Sequence, residues 1–251
     1  MEGGDLSDYM KTRYGRDGMP IDLVLDFTEQ TLQAVQYIHS LGYIHRDLKP
    51  GNILIGERGG ENHGRTVKVA DFGLARAMSL PVRPMTKEIQ SLPYRAPEIM
   101  LENLLYSSSV DMWSLGVIIY EMLMGHRMFN GYSEIEYLIE VMRRKGTPNA
   151  GDITQYAKFK GLLKISPLLP RFEKPKQGPT NNSSSADSAS EDGDDHEKQK
   201  LAYGFADLIE QLTALDPVKR PSAKQALRIL KTIRNEFQAE CFEADYYEPS
   251  D

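Results

Sequence analysis

The stretch that most restricts the fold is Asp111 to Met124, "DMWSLGVIIYEMLM". It reads as a helix that is apolar nearly all round, so it belongs in a core. Its longest mostly apolar run, Leu115 to Met124, is ten residues and too short to span a bilayer. Other helices must supply its surroundings, and the chain offers several. From Ile21 to Leu41, Val24, Phe27, Val35 and Ile38 fall on one face, and Gly42 is placed to end the helix. Ser133 to Arg143 reads as a more exposed helix. Phe205, Leu208, Ile209, Leu212 and Leu215 follow a helical period, and so do Ala223, Ala226, Leu227, Leu230 and Ile233 after a Pro-Ser start.

Between the first two helices lie short β-type pieces at 43–45, 52–55 and 67–70, with a glycine- and charge-rich loop over 56–64. Arg76 to Pro97 carries prolines at 81, 84, 93 and 97 and reads as irregular. Lys174 to Lys200 is poor in apolar residues and rich in Ser, Asp, Glu and Asn. It buries too little surface to offset its ordering entropy and is expected to be disordered.

Charge narrows the function class. The net charge of −6 comes from two peripheral segments, with −4 over 181–200 and −5 over 238–251, so the remainder is +3. A mildly basic body without one strongly basic face argues against a nucleic-acid partner. The first twenty residues contain no apolar stretch of signal-peptide type, and no membrane partner is expected. Cys241 is the single cysteine, which excludes an intrachain disulfide and a cysteine-based zinc site. A reducing, intracellular location fits, in the nucleus or the cytoplasm.

The chemistry concentrates in "HRDLKPGN", His45 to Asn52. The spacing Asp–x–Lys–x–x–Asn suits phosphoryl transfer. A carboxylate orients a hydroxyl and accepts its proton, an ammonium neutralises the phosphoryl group in flight, and an amide oxygen binds magnesium. "ADFGLAR", Ala70 to Arg76, puts a second carboxylate, Asp71, at a strand end beside a glycine, where it can hold a metal ion against polyphosphate. "YRAPEI", Tyr94 to Ile99, closes the irregular segment.

With H-R-D-L-x-x-x-N, D-F-G and A-P-E in order, and with "VDMWSLGVIIYEML" and "LDPVKRPSA" downstream, the chain resembles the eukaryotic protein kinases from Met1 to about Arg234. The resemblance implies an α+β protein kinase-like fold, here a mainly α-helical C-terminal lobe with short β-strands. It implies ATP and Mg2+ as cofactors and protein substrates as partners. Asp47 is then the catalytic base and Lys49 the phosphate-contacting lysine, with Asn52 and Asp71 as magnesium ligands. Glu98 is expected to pair with Arg220 as a buried structural ion pair, and Asp111 to brace the catalytic loop.

Within the family, the segments 71–99 and 106–149 are similar to those of cyclin-dependent kinases, down to the G-T-P turn at Gly146–Pro148. That similarity implies serine/threonine specificity, an activating phosphosite at Thr86, a phosphate clamp including Arg46 and Arg76, and substrate binding by Ser91 and Arg95 with preference for a following proline. It also implies a cyclin or other regulatory subunit. The chain departs from the group at Pro93, where tryptophan is usual, and in the long 174–200 insert.

The 251 residues contain no G-x-G-x-x-G loop and no V-A-I-K lysine ahead of the catalytic loop. The expected organisation is therefore a hinge remnant and the start of the following helix over 1–20, a kinase C-terminal lobe over 21–235, and an acidic tail over 236–251. The N-terminal β lobe, with the family's cyclin-docking helix and a third clamping arginine, is expected to be absent, leaving an apolar face exposed. Two readings follow: a cyclin-dependent-type kinase weak or inactive as this polypeptide alone, and a non-catalytic kinase-lobe interaction or decoy module.

Overall fold

A computed structural model describes residues 4–57, 65–78, 91–101, 107–146 and 192–244, with side chains over 201–235 in the last segment. Helix α4, Ser109–Met124, is buried without a break from Ser109 to Ile119. This is what its all-round apolar composition demands. Helix α2, Ile21–Ser40, packs its buried face (Val24, Phe27, Val35, Ile38 among others) toward α4. Helix α6, Asp192–Leu212, crosses α4 closely enough that a Cβ on Gly116 would sit 2.8 Å from Leu212 Cβ and from Thr213 Cγ2. Only glycine fits that crossing. Helix α7, Ala223–Ala244, packs on both α2 and α6.

Smaller elements hang on this frame. Helix α1, Leu6–Arg13, begins at an Asp5 cap that accepts from Asp8 N–H at 2.9 Å. The turn after α1 crosses the end of α4, where Met19 N–H donates to Met122 O at 2.7 Å. Gly125, which caps α4 at φ 67°, would bring a Cβ within 2.4 Å of Arg16 O. Strands β2, Ile53–Glu57, and β3, Arg65–Val69, form an antiparallel pair with Ile53 opposite Val69. A second pair joins β1, Tyr43–Ile44, to β4, Arg76–Ala77. Helix α3, Pro97–Met100, and helix α5, Glu134–Lys145, complete the described elements.

One expectation is corrected. The segment 174–200 does not read uniformly as disordered, because residues 192–200 form the first turns of α6. Composition argued for disorder, but the docked segment 201–212 has already met the cost of helix nucleation, so each further residue adds a hydrogen bond without a new nucleus. Residues 174–191 lie outside the described residues.

Two distant parts of the chain are locked by Glu98 in α3 and Arg220. The guanidinium donates to both carboxylate oxygens, at 2.6 and 2.8 Å, with both side chains at most 1% exposed. Arg220 also donates to Ser109 O at 3.1 Å and to Ala214 O at 2.8 Å, and lies 5.0 Å over the Trp113 ring. Removing one partner leaves a buried charge uncompensated. Arg220→Met is therefore expected to destabilise the fold by about 3–5 kcal/mol, read from the urea unfolding midpoint. A loss under about 1 kcal/mol, the range of exposed pairs, would contradict this account.

Candidate functional site

The loop after β1 is fixed by a carboxylate from the core helix. Asp111, fully buried in the first turn of α4, accepts from His45 N–H at Oδ2 and from Arg46 N–H at Oδ1, both at 2.9 Å. Oδ2 also meets His39 Nε2 at 2.8 Å, bringing in the last turn of α2. These bonds hold Arg46 at φ 69°, a left-handed conformation that costs roughly 1–3 kcal/mol for a residue with a side chain. The Arg46 side chain donates from Nε to Leu74 O.

His45 joins this loop to the strand carrying the second carboxylate. Its ring is buried, with Nε2 3.0 Å from Ala70 O and Nδ1 3.3 Å from Asp47 N. A carbonyl only accepts and an amide N–H only donates, so this environment selects the Nε2–H tautomer. The ring edge also meets Phe72 at 5.0 Å between centroids.

Asp47 is 6% exposed; three hydrogen bonds reach its carboxylate and a fourth involves its backbone N–H. Oδ2 accepts from Lys49 Nζ at 2.7 Å and from Asn52 Nδ2 at 3.1 Å, and Oδ1 accepts from Ser91 N–H at 3.2 Å. The fourth contact is on its backbone N–H, from which His45 Nδ1 accepts. Lys49 Nζ also donates to Ser91 Oγ at 3.2 Å. Asn52 closes the loop by donating to Asp47 O at 2.8 Å.

The Asn52 NH2 group is committed to Asp47, which leaves its amide oxygen as the group able to accept a cation. Its backbone carbonyl accepts from Ala70 N–H at 2.9 Å, which sets Asp71, one residue on, beside it. Asp71 is exposed, lies at φ 63°, and accepts from Gly73 N–H at Oδ1, 3.2 Å. A carboxylate and an amide oxygen on adjacent segments fit Mg2+, which keeps water and phosphate oxygens in its remaining positions. Among the described residues no group of three or more His, Cys, Asp or Glu forms a cage able to hold an ion unaided.

The segment 91–98 flanks the loop. Ser91 sits on Asp47 and Lys49, as above, and Arg95, 9% exposed, pairs with Glu134 of α5. Tyr94 donates from its hydroxyl to Glu121 Oε2 at 2.7 Å, and Tyr137 to Pro93 O at 2.9 Å. Arg76 lies on β4 opposite Ile44, two residues from Arg46 in the paired strand direction. Thr86 lies outside the described residues. Sequence spacing gave no sign of His39, Tyr137 or Glu134, whose partners are 39 or more residues away.

A separate surface cavity of about 440 Å³, lined by Gln211, Lys219, Gln225 and Arg228 among others, contains none of residues 45–52. No helix among the described residues is long and apolar enough to cross a membrane.

The model of the protein kinase domain matches residues 1–229. The chain belongs to the protein kinase family. The helical body with few short strands is consistent with that fold. Protein kinase domains are transferases that use ATP and Mg2+ and act on proteins.

Two phenols tie the flanking segment to the core of this kinase domain. Burial pushes both Tyr94 and Tyr137 well above the ordinary tyrosine range, and for Tyr94 the neighbouring Glu121 carboxylate adds to the shift. Unfolding releases these groups to their ordinary pKa near 10. The stability linked to them is thus whole below about pH 10 and is lost as pH rises beyond it. Spectrophotometric titration should show Tyr94→Phe and Tyr137→Phe each removing one phenol from the class that ionises only with alkaline unfolding. Ionisation of either phenol in the folded chain near pH 10 would refute the assignment.

Proposed function

We propose that the chain carries the catalytic apparatus of a serine/threonine protein kinase of the cyclin-dependent type. The observation that supports this most is the convergence of Lys49, Asn52 and the Ser91 amide on the Asp47 carboxylate. In this reading Asp47 orients the substrate hydroxyl and takes its proton as that oxygen bonds to the γ-phosphorus, and the bridging oxygen leaves with ADP. Lys49 shifts from Asp47 to the transferring phosphoryl group, whose charge it offsets. Asn52 and Asp71 hold Mg2+ against the phosphates. Arg46 and Arg76 receive the phosphate of a phosphorylated Thr86, and Ser91 and Arg95 line the site of a proline-directed peptide. A cyclin or other regulatory subunit is the partner this type implies.

Because the 251 residues supply neither a G-x-G-x-x-G loop nor a V-A-I-K lysine, this polypeptide by itself is proposed to bind Mg-ATP weakly and to transfer phosphate slowly. The alternative is an interaction or decoy module built on the same lobe. Quantitative transfer from labelled ATP to a Ser-Pro or Thr-Pro peptide, with the chain in excess, separates the two. The kinase reading expects slow labelling that falls by roughly 10²–10⁴-fold in Asp47→Asn and is also lost in Asp71→Asn. Equal labelling by the chain and by Asp47→Asn would favour the module, whereas fast, Asp71-dependent turnover would overturn the proposed weakness.

A further inference from the structure

We infer that Tyr137 of α5 is a positioning residue for the catalytic carboxylate, acting through the carbonyl of Pro93; this rests on the kinase reading of Asp47. The segment 91–94 is a short strut with its carbonyls fully committed. Ser91 O accepts from Tyr94 N–H at 3.0 Å and Leu92 O from Arg95 N–H at 3.2 Å, the two bonds of a 3₁₀ turn. Pro93 O accepts from Tyr137 Oη–H at 2.9 Å, and Tyr94 O from Ser114 Oγ–H at 2.8 Å. At the other end of the strut, Ser91 N–H donates to Asp47 Oδ1 and Ser91 Oγ accepts from Lys49. Any rotation of the turn about its long axis moves the Ser91 amide off the carboxylate.

Tyr137 is well placed to prevent that rotation. Its side chain is fully buried, with its ring 5.8 Å edge-on to Phe129, which in turn stacks on Trp113 of α4 at 5.6 Å. Its own turn of α5 is rigid. Ser133 Oγ accepts from Glu136 N–H at 3.2 Å while Glu136 reaches back to Tyr132 N–H at 2.9 Å, a reciprocal cap. A Cβ on Gly131 would lie 2.4 Å from Tyr137 N, so the approach to the helix has no slack. Glu134 on the same turn holds Arg95. Position 93, where the chain departs from its group in carrying proline, thus receives a hydroxyl from a buried tyrosine.

The test uses the 15N-labelled 251-residue chain and its Tyr137→Phe variant, which keeps the ring and removes only the hydroxyl. The Ser91 amide signal, assigned by its response to Asp47→Asn, is expected to shift in Tyr137→Phe. Its hydrogen exchange should accelerate roughly tenfold, while amides of Ile118 and Leu208 keep their protection. The peptide-transfer rate should fall roughly three- to tenfold with the peptide KM unchanged. Glu134→Gln, a change at a half-exposed side chain, serves as the second variant and should loosen Ser91 in the same sense if Tyr137→Phe fails to fold. An unchanged Ser91 signal in a folded variant overturns the inference and leaves the kinase reading intact. A shifted signal with an unchanged transfer rate overturns the catalytic meaning of the contact. If the chain transfers no faster than Asp47→Asn, the kinase reading fails, and the positioning role falls with it even where Ser91 responds.

Discussion

A single buried carboxylate sets the geometry of the site. Asp111 gives up hydration, which for an isolated ion in a core costs several kcal/mol. It regains that from the N–H groups of His45 and Arg46 and the imidazole of His39. Bonds to a charged acceptor are stronger than neutral ones, and they are directed at two consecutive backbone amides. That direction forces the left-handed turn at Arg46, which swings Asp47 toward Lys49, Asn52 and Ser91. Without the carboxylate the strain at Arg46 would have nothing to oppose its release.

Helix α4 carries more than that contact. Along its length, Asp111 fixes the loop, Trp113 supports the Arg220 guanidinium, Ser114 accepts the role of donor to Tyr94 O, and Glu121 receives the Tyr94 hydroxyl. The strut from Ser91 to Glu98 is therefore referenced to the same helix as the loop it flanks. Errors in position do not accumulate between the two, because both are measured from one rigid element. The polar residues among the apolar ones in "VDMWSLGVIIYEML" are the ones that make these connections.

Local features of this arrangement were readable from the chain. Asp47, Lys49 and Asn52 lie within six positions, so their spacing alone predicts a shared site, and the structure brings their side chains together. Helices α2 and α4 announce themselves by periodicity and by uninterrupted apolar character. Contacts between residues far apart in sequence are legible only where the family resemblance implies them, as for Glu98 with Arg220, 122 positions apart, and Asp111 with the loop at 45–46. Asp111 and His39 are separated by 72 positions and Tyr137 and Pro93 by 44; in the sequence a buried tyrosine that donates to a carbonyl looks like any core aromatic. The start of α6 was misjudged for a related reason, since composition measures what nine polar residues can bury and not what a docked helix beyond them can propagate.

The two segments that would hold a metal ion are registered to each other before any ligand arrives. Two bonds do this: Ala70 N–H to Asn52 O, and His45 Nε2–H to Ala70 O. One belongs to the continuation of the β2–β3 ladder and the other to a buried ring, so neither depends on solvent-exposed side chains. Asn52 and Asp71 therefore need little reorganisation to share a cation, and preorganised groups are worth more than groups that must be ordered on binding. Lys49 is different. It is partly exposed and sits on Asp47 and Ser91, the positions that a substrate hydroxyl would approach. The ammonium thus screens the carboxylate in the resting chain, and a polyphosphate that draws it away would uncover Asp47. Under the proposed kinase reading, binding of the phosphate donor and exposure of Asp47 as proton acceptor would be coupled through this one side chain.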